Sequence, residues 1–241
     1  MFRLALIGLI VLPQIASANF NATVELGPVW QSRNDVEIPI GSGTRFSLVS
    51  ASSGPFVAYR VYAGYDFNDR HGLRALFAPF SVTASGTFGQ NIDFAGSTYT
   101  AGTPLSATYQ FNSYRLTYRY KFYKSDNWDW YVGFTGKIRD AKIALSQGAT
   151  ASESKNVGFV PLIHFAANYR FADDWRLIFD MDGLAAPQGR AFDITLQAGW
   201  QATPEIELSA GYRTVEGGAA SSTIYNFTWL HYLVFATTAR F

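Results

Sequence analysis

Residues 113–122 read SYRLTYRYKF, with polar and apolar side chains alternating at every position. Successive side chains of a β-strand point to opposite faces, whereas a helix of 3.6 residues per turn cannot separate the two classes. The same alternation recurs in residues 56–67 and 163–171. The pattern therefore predicts strands with one polar face and one apolar, largely aromatic face.

Short and long connections alternate between the strands that this pattern marks. The short ones are 68–72, 124–127, 172–174 and 202–205, and the longer or Gly/Ser-rich ones are about 34–53, 85–106, 145–157, 185–189 and 217–223. Four turns and five loops join ten strands, as in an up-and-down barrel. The strands are expected at about 20–33, 55–67, 73–84, 107–123, 129–144, 158–171, 175–184, 190–201, 206–216 and 225–241.

The predicted fold class is all-β, a closed antiparallel up-and-down transmembrane β-barrel of about ten strands. The third strand, 73–84, has ambiguous parity and contains Pro79. If it is a loop, or if strands merge, an eight-stranded barrel is the alternative.

The N-terminus has the features of a secretory signal peptide. Arg3 provides a positive charge, residues 4–12 are apolar, and Ala16-Ser17-Ala18 is a small-x-small cleavage site. We expect residues 1–18 to be cleaved and residues 19–241 to form a single barrel domain. The chain has no cysteine, so disulfides do not stabilise it.

Charge and hydropathy exclude two classes of protein. The net charge of +1 and the lack of a basic run argue against a nucleic-acid partner. After the signal peptide, no apolar stretch approaches the eighteen residues that a membrane-spanning helix requires. A chain that faces lipid without such helices must form a closed barrel, because each unpaired backbone group in hydrocarbon costs several kcal/mol.

Residue size indicates which face meets lipid. A soluble ligand-carrying barrel places apolar residues inside, and a membrane barrel reverses this. Here the apolar parity is dominated by Tyr, Phe, Leu, Ile and Trp, which are too bulky to converge in a narrow barrel. Trp130, Trp175 and Trp200 lie on apolar parities beside three short turns, as expected of an interfacial aromatic girdle.

The charged residues of the polar parities are expected in the lumen, because an outward Arg or Lys at the midplane costs roughly 2–4 kcal/mol. Strands four and five are basic inside and strands seven and eight are acidic, so interior ion pairs or a polarised lumen are predicted. Two readings stay open: a lumen filled by side chains, and a narrow pore for small solutes or ions. The predicted lumen charge network is Arg60, Arg115, Arg119, Lys137, Arg139, Arg170, Asp180, Asp182, Asp193, Glu207 and Arg213.

No catalytic residue, metal site or cofactor is predicted. The chain has three histidines, at 71, 164 and 231, and Ala166 stands where a His-x-Ser arrangement would need Ser. His164 is expected to form lumen hydrogen bonds. His231 falls on the apolar parity, so either a bulge shifts the register or it lies near the outer interface. An outer-membrane lipid hydrolase or acyltransferase is the less favoured alternative.

The last seventeen residues, 225–241, read as one long strand that ends in Phe241, with Phe235 on the same face. This ending resembles the C-terminal strand of Gram-negative outer-membrane β-barrel proteins, in which a final Phe is part of the signal read by the barrel-assembly machinery. The whole mature chain resembles small OmpA/OmpW-like or porin-like barrels in architecture, without matching one family.

The resemblance implies export through the periplasm, insertion into the outer membrane, and contact with its lipid and lipopolysaccharide. A structural or surface-interaction role is the favoured function, and a narrow channel is the alternative.

Overall fold

The computed structural model describes residues 19–241. The predicted signal peptide, residues 1–18, and its cleavage site after Ala18 lie outside the described residues. Within residues 19–241, no helix has the length and apolar character needed to cross a membrane.

The described chain consists of strands and one short 3-10 helix, Leu48–Ser50. In chain order the strands are β1 (Phe20–Glu37), β2 (Phe46–Ser47), β3 (Phe56–Asp66), β4 (His71–Ala78), β5 (Ser81–Gly86), β6 (Ile92–Phe94), β7 (Ser97–Tyr99), β8 (Leu105–Lys124), β9 (Trp128–Gln147), β10 (Thr150–Ala172), β11 (Trp175–Ala186), β12 (Gly189–Gln201), β13 (Ile206–Ala220) and β14 (Tyr225–Arg240).

The wall is a closed antiparallel barrel of ten strands. Consecutive wall strands are paired around the ring, and β14 closes it by pairing with β1 from Asn21↔Arg240 to Glu37↔Tyr225. The predicted fold class is confirmed, and the eight-stranded alternative is wrong. A closed ring leaves no free strand edge in the membrane.

The third wall strand is broken in two. β4 and β5 both pair with β8, and they are separated by Pro79 and Phe80. Proline has no N–H to donate to the ladder, so it interrupts the strand. The ladder resumes at once, because the Phe111 amide donates to the Phe80 carbonyl over 2.8 Å. The ambiguous parity of residues 73–84 reflects this break.

The two ends of the barrel differ. The turn end carries the short connections 67–70, 125–127, 173–174 and 202–205, and the loop end carries 38–55, 87–104, 148–149, 187–188 and 221–224. The predicted loop 145–157 is wrong, because the chain there forms a hairpin whose connection is only residues 148–149. The connection predicted at 185–189 is present but shorter, residues 187–188. Residues 150–157 are polar enough to suggest a loop, but they pair with β9 as a strand extension beyond the barrel wall. Gly148, at φ +57°, provides the left-handed residue of the β9–β10 turn.

The outer surface of the wall is apolar. Along β3, exposed and buried residues alternate, and Val57 is 77% exposed while the next residue, Ala58, is buried. Phe134 on β9 is 72% exposed on the same outer surface. The charged residues Arg60 and Arg115 are buried inside. The chain therefore turns its bulky side chains outward and its ionic groups inward.

Candidate functional site: the filled lumen

Asp193 of β12 is the centre of a buried ion-pair cluster across the lumen. Its Oδ2 accepts hydrogen bonds from Nη2 of Arg60 at 2.8 Å and from Nη2 of Arg115 at 2.7 Å. Its Oδ1 accepts from Nη1 of Arg213 at 2.5 Å. The three arginines belong to β3, β8 and β13, so one carboxylate connects four strands.

Asp182 of β11 extends the cluster. Its Oδ2 accepts from Nη1 of Arg115 at 2.8 Å, and its Oδ1 accepts from the Thr135 hydroxyl at 2.8 Å. Nδ1 of His164, which is fully buried, lies 2.9 Å from the same Oδ1. Arg115 thus joins the basic β8 to the acidic β11 and β12 through two carboxylates.

Glu25 and the predicted Asp180 complete the cluster, and both Glu25 and the partner of Asp180, Arg74, lie outside the predicted network. Nη2 of Arg213 donates to both Glu25 oxygens at 2.8 and 3.0 Å. Arg74 makes a bidentate pair with Asp180, at 2.6 and 2.9 Å. Four arginines (60, 74, 115 and 213) therefore face four carboxylates (25, 180, 182 and 193). Arg74 was missed because it lies on the strand whose parity Pro79 obscured.

Lys137 lies beside this balanced cluster and makes no salt bridge among residues 19–241. It is 3% exposed, and its Nζ lies 4.4 Å from the centre of the Phe111 ring. A cation–π contact compensates only part of the cost of burying an ammonium group. Lys137 is thus a basic group in excess of the balanced cluster.

Replacing Lys137 with methionine should stabilise the barrel. Methionine fills a similar volume and removes the buried surplus charge, so we expect the free energy of unfolding to rise by about 1–4 kcal/mol, the range found when buried ionic groups are replaced by apolar ones. Chemical unfolding in lipid vesicles would measure it. Lys155→Met, on the exposed strand extension, is the control and should leave stability unchanged; a loss of stability in Lys137→Met would show that the ammonium group has a partner.

Four other residues of the predicted network lie outside the cluster. Arg119 faces Asp66 at 3.6 Å, and Glu207 pairs with Arg176 at 2.6 Å and Arg240 at 3.3 Å, all towards the turn end.

Arg139 and Arg170 keep the predicted lumen parity, but neither forms a salt bridge among residues 19–241 and both lie away from the buried cluster. Arg139 is half-buried at the strand extension near Asn156, its hydrogen-bond partner. Arg170 is exposed at the end of β10, beside the 173–174 turn, because the lumen parity there already opens to solvent.

The lumen has different contents at its two ends. At the turn end, a polar cavity of about 210 Å³ is lined by residues that include Thr23, Arg119, Arg176 and Glu207. At the loop end the interior is apolar and filled, with Tyr99, Phe94, Ile92 and Leu105 at most 1% exposed. The β6–β7 hairpin of the long 87–104 connection supplies three of these side chains. The cavity is thus a vestibule below a charged layer and an apolar plug.

The predicted girdle residues lie on the outer face beside the turns. Trp175 and Trp200 are exposed and stack at 6.3 Å, and Trp130 stacks with Trp128 at 5.2 Å. At the chain end, Phe235 and Phe241 are exposed on the outer face. The Phe241 ring lies 5.8 Å from that of Phe20, where the first and last strands meet.

The three histidines lie at three different levels. His71 begins β4 at the turn end, with Nδ1 2.6 Å from the Tyr118 hydroxyl. His164 is in the buried cluster. His231 points outward on β14 towards the loop end, and β14 keeps its register with β13 there, so no bulge in that pairing accounts for its parity.

Comparison with known proteins identifies the fold. No protein-family model and no curated protein matches the sequence. The outer membrane protease OmpT from Escherichia coli is similar in structure, with a TM-score of 0.54 over 95% of this chain and 99% of that chain, at 13% identity. Neisserial surface protein A has a TM-score of 0.38, 15% identity, and coverage of 93% and 98%. Ail, the attachment invasion locus protein of Yersinia pestis, has a TM-score of 0.39, 10% identity, and coverage of 92% and 98%.

At 13% identity the likeness to OmpT shows the fold alone. The location follows from the surface: a closed ring of ten strands with an apolar, aromatic outer face buries its backbone polar groups and meets hydrocarbon. The chain is a ten-stranded β-barrel of the Gram-negative outer-membrane type.

Proposed function

We propose that this protein is a closed, non-conducting outer-membrane barrel that acts at its outer surface, in a structural or surface-interaction role. The observation that carries the proposal is the filling of the lumen in two layers. Two features support a lumen without a continuous path: the charged layer is held by direct hydrogen bonds, and the side chains of the apolar layer are at most 1% exposed.

The proposed contacts follow from the shape of the two ends. The connections 38–55 and 87–104 at the loop end would meet lipopolysaccharide or another external partner, and the apolar belt would meet lipid. At the other end, Phe235 and Phe241 are the residues that we propose the barrel-assembly machinery reads. No cofactor is part of the proposal.

A narrow channel is the second candidate, favoured by the cavity at the turn end. Its lining is charged, so a solute path through it would select by charge. The charged layer and the apolar plug would then have to move together to open the path.

Conductance of the purified protein in planar bilayers tests the proposal. We expect no single-channel steps from the native chain, and steps from a variant in which residues 88–103 are replaced by a short Gly-Ser linker and Arg115 by alanine. Regular steps from the native chain, with an ion selectivity that changes in Arg115→Ala, would overturn the closed-barrel proposal in favour of the channel.

A further inference from the structure

Three polar side chains are hydrogen-bonded in a row on the outer face of the barrel. The Ser32 hydroxyl lies 2.7 Å from Nε2 of His231, and Nδ1 of His231 lies 2.5 Å from the Tyr212 hydroxyl. The three residues come from β1, β14 and β13, and only the closure of the barrel brings Ser32 within reach of a residue 199 positions away.

Ser32 is the extra residue of a β-bulge in β1 and lies on the outer face. The pairing with β14 passes from Gln31↔Leu230 to Arg33↔Trp229 and skips Ser32. Gln31 is buried in the lumen, whereas Ser32 is exposed. Bulges re-aim side chains and leave the extra residue outside the hydrogen-bonded ladder.

The imidazole of His231 is held between two aromatic rings. The Trp229 ring lies 5.4 Å from it and the Tyr212 ring 6.1 Å from it, centre to centre. A hydrogen bond holds the Trp229 ring in this position, because its Nε1–H donates to the Thr214 hydroxyl over 2.7 Å. With Nδ1–H donating to Tyr212, Nε2 carries the lone pair that faces the Ser32 hydroxyl.

The row lies at the depth of lipid ester bonds. His231 is ten positions before Phe241 at the turn end, and nine to eleven residues cross a barrel wall. The triad therefore lies near the outer edge of the apolar belt, where acyl chains join their headgroups. Exposed Leu233 and Phe235 continue the same face of β14 into the belt and would contact the acyl chain.

We propose that Ser32, His231 and Tyr212 form an esterase site for the acyl esters of lipids in the outer leaflet. A nucleophile, a base within hydrogen-bond reach and a third group that orients the base are the parts that serine acyl transfer requires. Ser32 and His231 are catalytic residues in this proposal, and Tyr212 is a positioning residue. The proposal goes beyond the closed-barrel function and does not depend on it.

Water is the second substrate of the proposed reaction, and it hydrolyses the acyl-serine intermediate. Ser32 Oγ attacks the acyl carbonyl carbon while His231 Nε2 takes the hydroxyl proton, and the carbonyl oxygen becomes the oxyanion of a tetrahedral intermediate. The ester C–O bond breaks, and His231 gives the proton to the leaving lipid alcohol. Water, deprotonated by His231, then attacks the acyl-serine, which releases the free fatty acid and restores the Ser32 hydroxyl.

The test uses the folded chain in mixed detergent–lipid micelles with two substrates, phosphatidylethanolamine and lipid A, each with labelled acyl chains. We expect release of fatty acid from at least one, and the arm that reacts identifies the lipid. Ser32→Ala should abolish release, His231→Gln should lower it by about 10²–10⁴-fold, the range for a lost general base, and Tyr212→Phe should lower kcat with KM unchanged. A fluorophosphonate probe should add to Ser32 in the native chain and not in Ser32→Ala.

Thr108→Ala is the matched control, because Thr83 and Thr108 form a hydroxyl pair at 2.8 Å on the outer face without a histidine. It should leave release unchanged. The difference in gel mobility between unheated and heated samples shows whether each variant is folded. Release that persists in folded Ser32→Ala, or a native chain that neither releases acid from either lipid nor takes the probe, would overturn the proposal.

Discussion

Replacing Asp193 with alanine is expected to lower the free energy of unfolding by about 3–5 kcal/mol, the cost of removing one partner of a buried ion pair. The change takes one carboxylate partner from each of three guanidinium groups, those of Arg60, Arg115 and Arg213, whose hydrogen bonds to Asp193 span 2.5 to 2.8 Å, and it leaves the buried cluster with one more cation than anions. The unbalanced positive charge that remains cannot recover hydration from the loop end, because the apolar plug closes that end. Urea unfolding in phospholipid vesicles, followed by tryptophan fluorescence, would measure the loss.

Two further variants test whether the loss of stability is specific to the buried cluster. Asp126→Ala removes an exposed carboxylate in the 125–127 turn and should change stability by less than about 0.5 kcal/mol. The double variant Asp193→Ala/Arg213→Met also removes one of the three cations, but it takes from Glu25 the arginine that donates to both of its oxygens. We expect its loss to differ from the sum of the two single losses, because the three residues share one network. A loss below 1 kcal/mol in Asp193→Ala would show that water reaches the cluster.

Replacing Phe134 with arginine is expected to lower the free energy of unfolding by about 2–4 kcal/mol, the cost of a lipid-facing Arg at the bilayer midplane. Phe134 lies on the outer face of β9, about halfway between the turn end and the strand extension, and no wall residue covers it. The same unfolding assay would measure the change.

Val157→Arg is the matched control for Phe134→Arg. Val157 is exposed on the outer face of the neighbouring strand, opposite Asp140 on the extension that leaves the barrel. The side chain there meets water or headgroups, so an arginine should cost about 0–1 kcal/mol. Equal losses in the two variants would contradict the placement of the hydrocarbon layer.

The ten wall strands could be predicted because a strand's side chains have a period of two and the connections alternate in length. The prediction was wrong where the composition of a strand does not resemble that of a membrane-spanning strand. Residues 150–157 are polar because they form a strand in water, and a polar stretch with Gly148 before it resembles a loop. Pro79 concealed a wall strand, and with it the Arg74–Asp180 pair.

The candidate sites could be predicted only in part. The residue types and parities of Arg115, Asp182 and Asp193 indicated opposed charges in the lumen, but which carboxylate each arginine contacts depends on the width of the closed ring. The proximity of Ser32 to His231 could not be predicted, because it depends on the pairing of the first strand with the last and on a bulge. The apolar plug also escaped sequence reasoning, since it comes from the interior of a connection that reads as a Gly/Ser-rich loop.

Spin labels on single cysteines would test most directly whether the bulky side chains face lipid, and the natural chain has no cysteine to interfere. Tyr118 and Leu196 both lie exposed on the outer face of the wall, and Asp126 lies in a turn. We predict that oxygen enhances the spin relaxation of labels at Tyr118 and Leu196 and that a water-soluble nickel chelate does not. A label at Asp126 should show the opposite. Labels at Tyr118 and Leu196 that meet the nickel chelate as freely as Asp126 does would contradict the account.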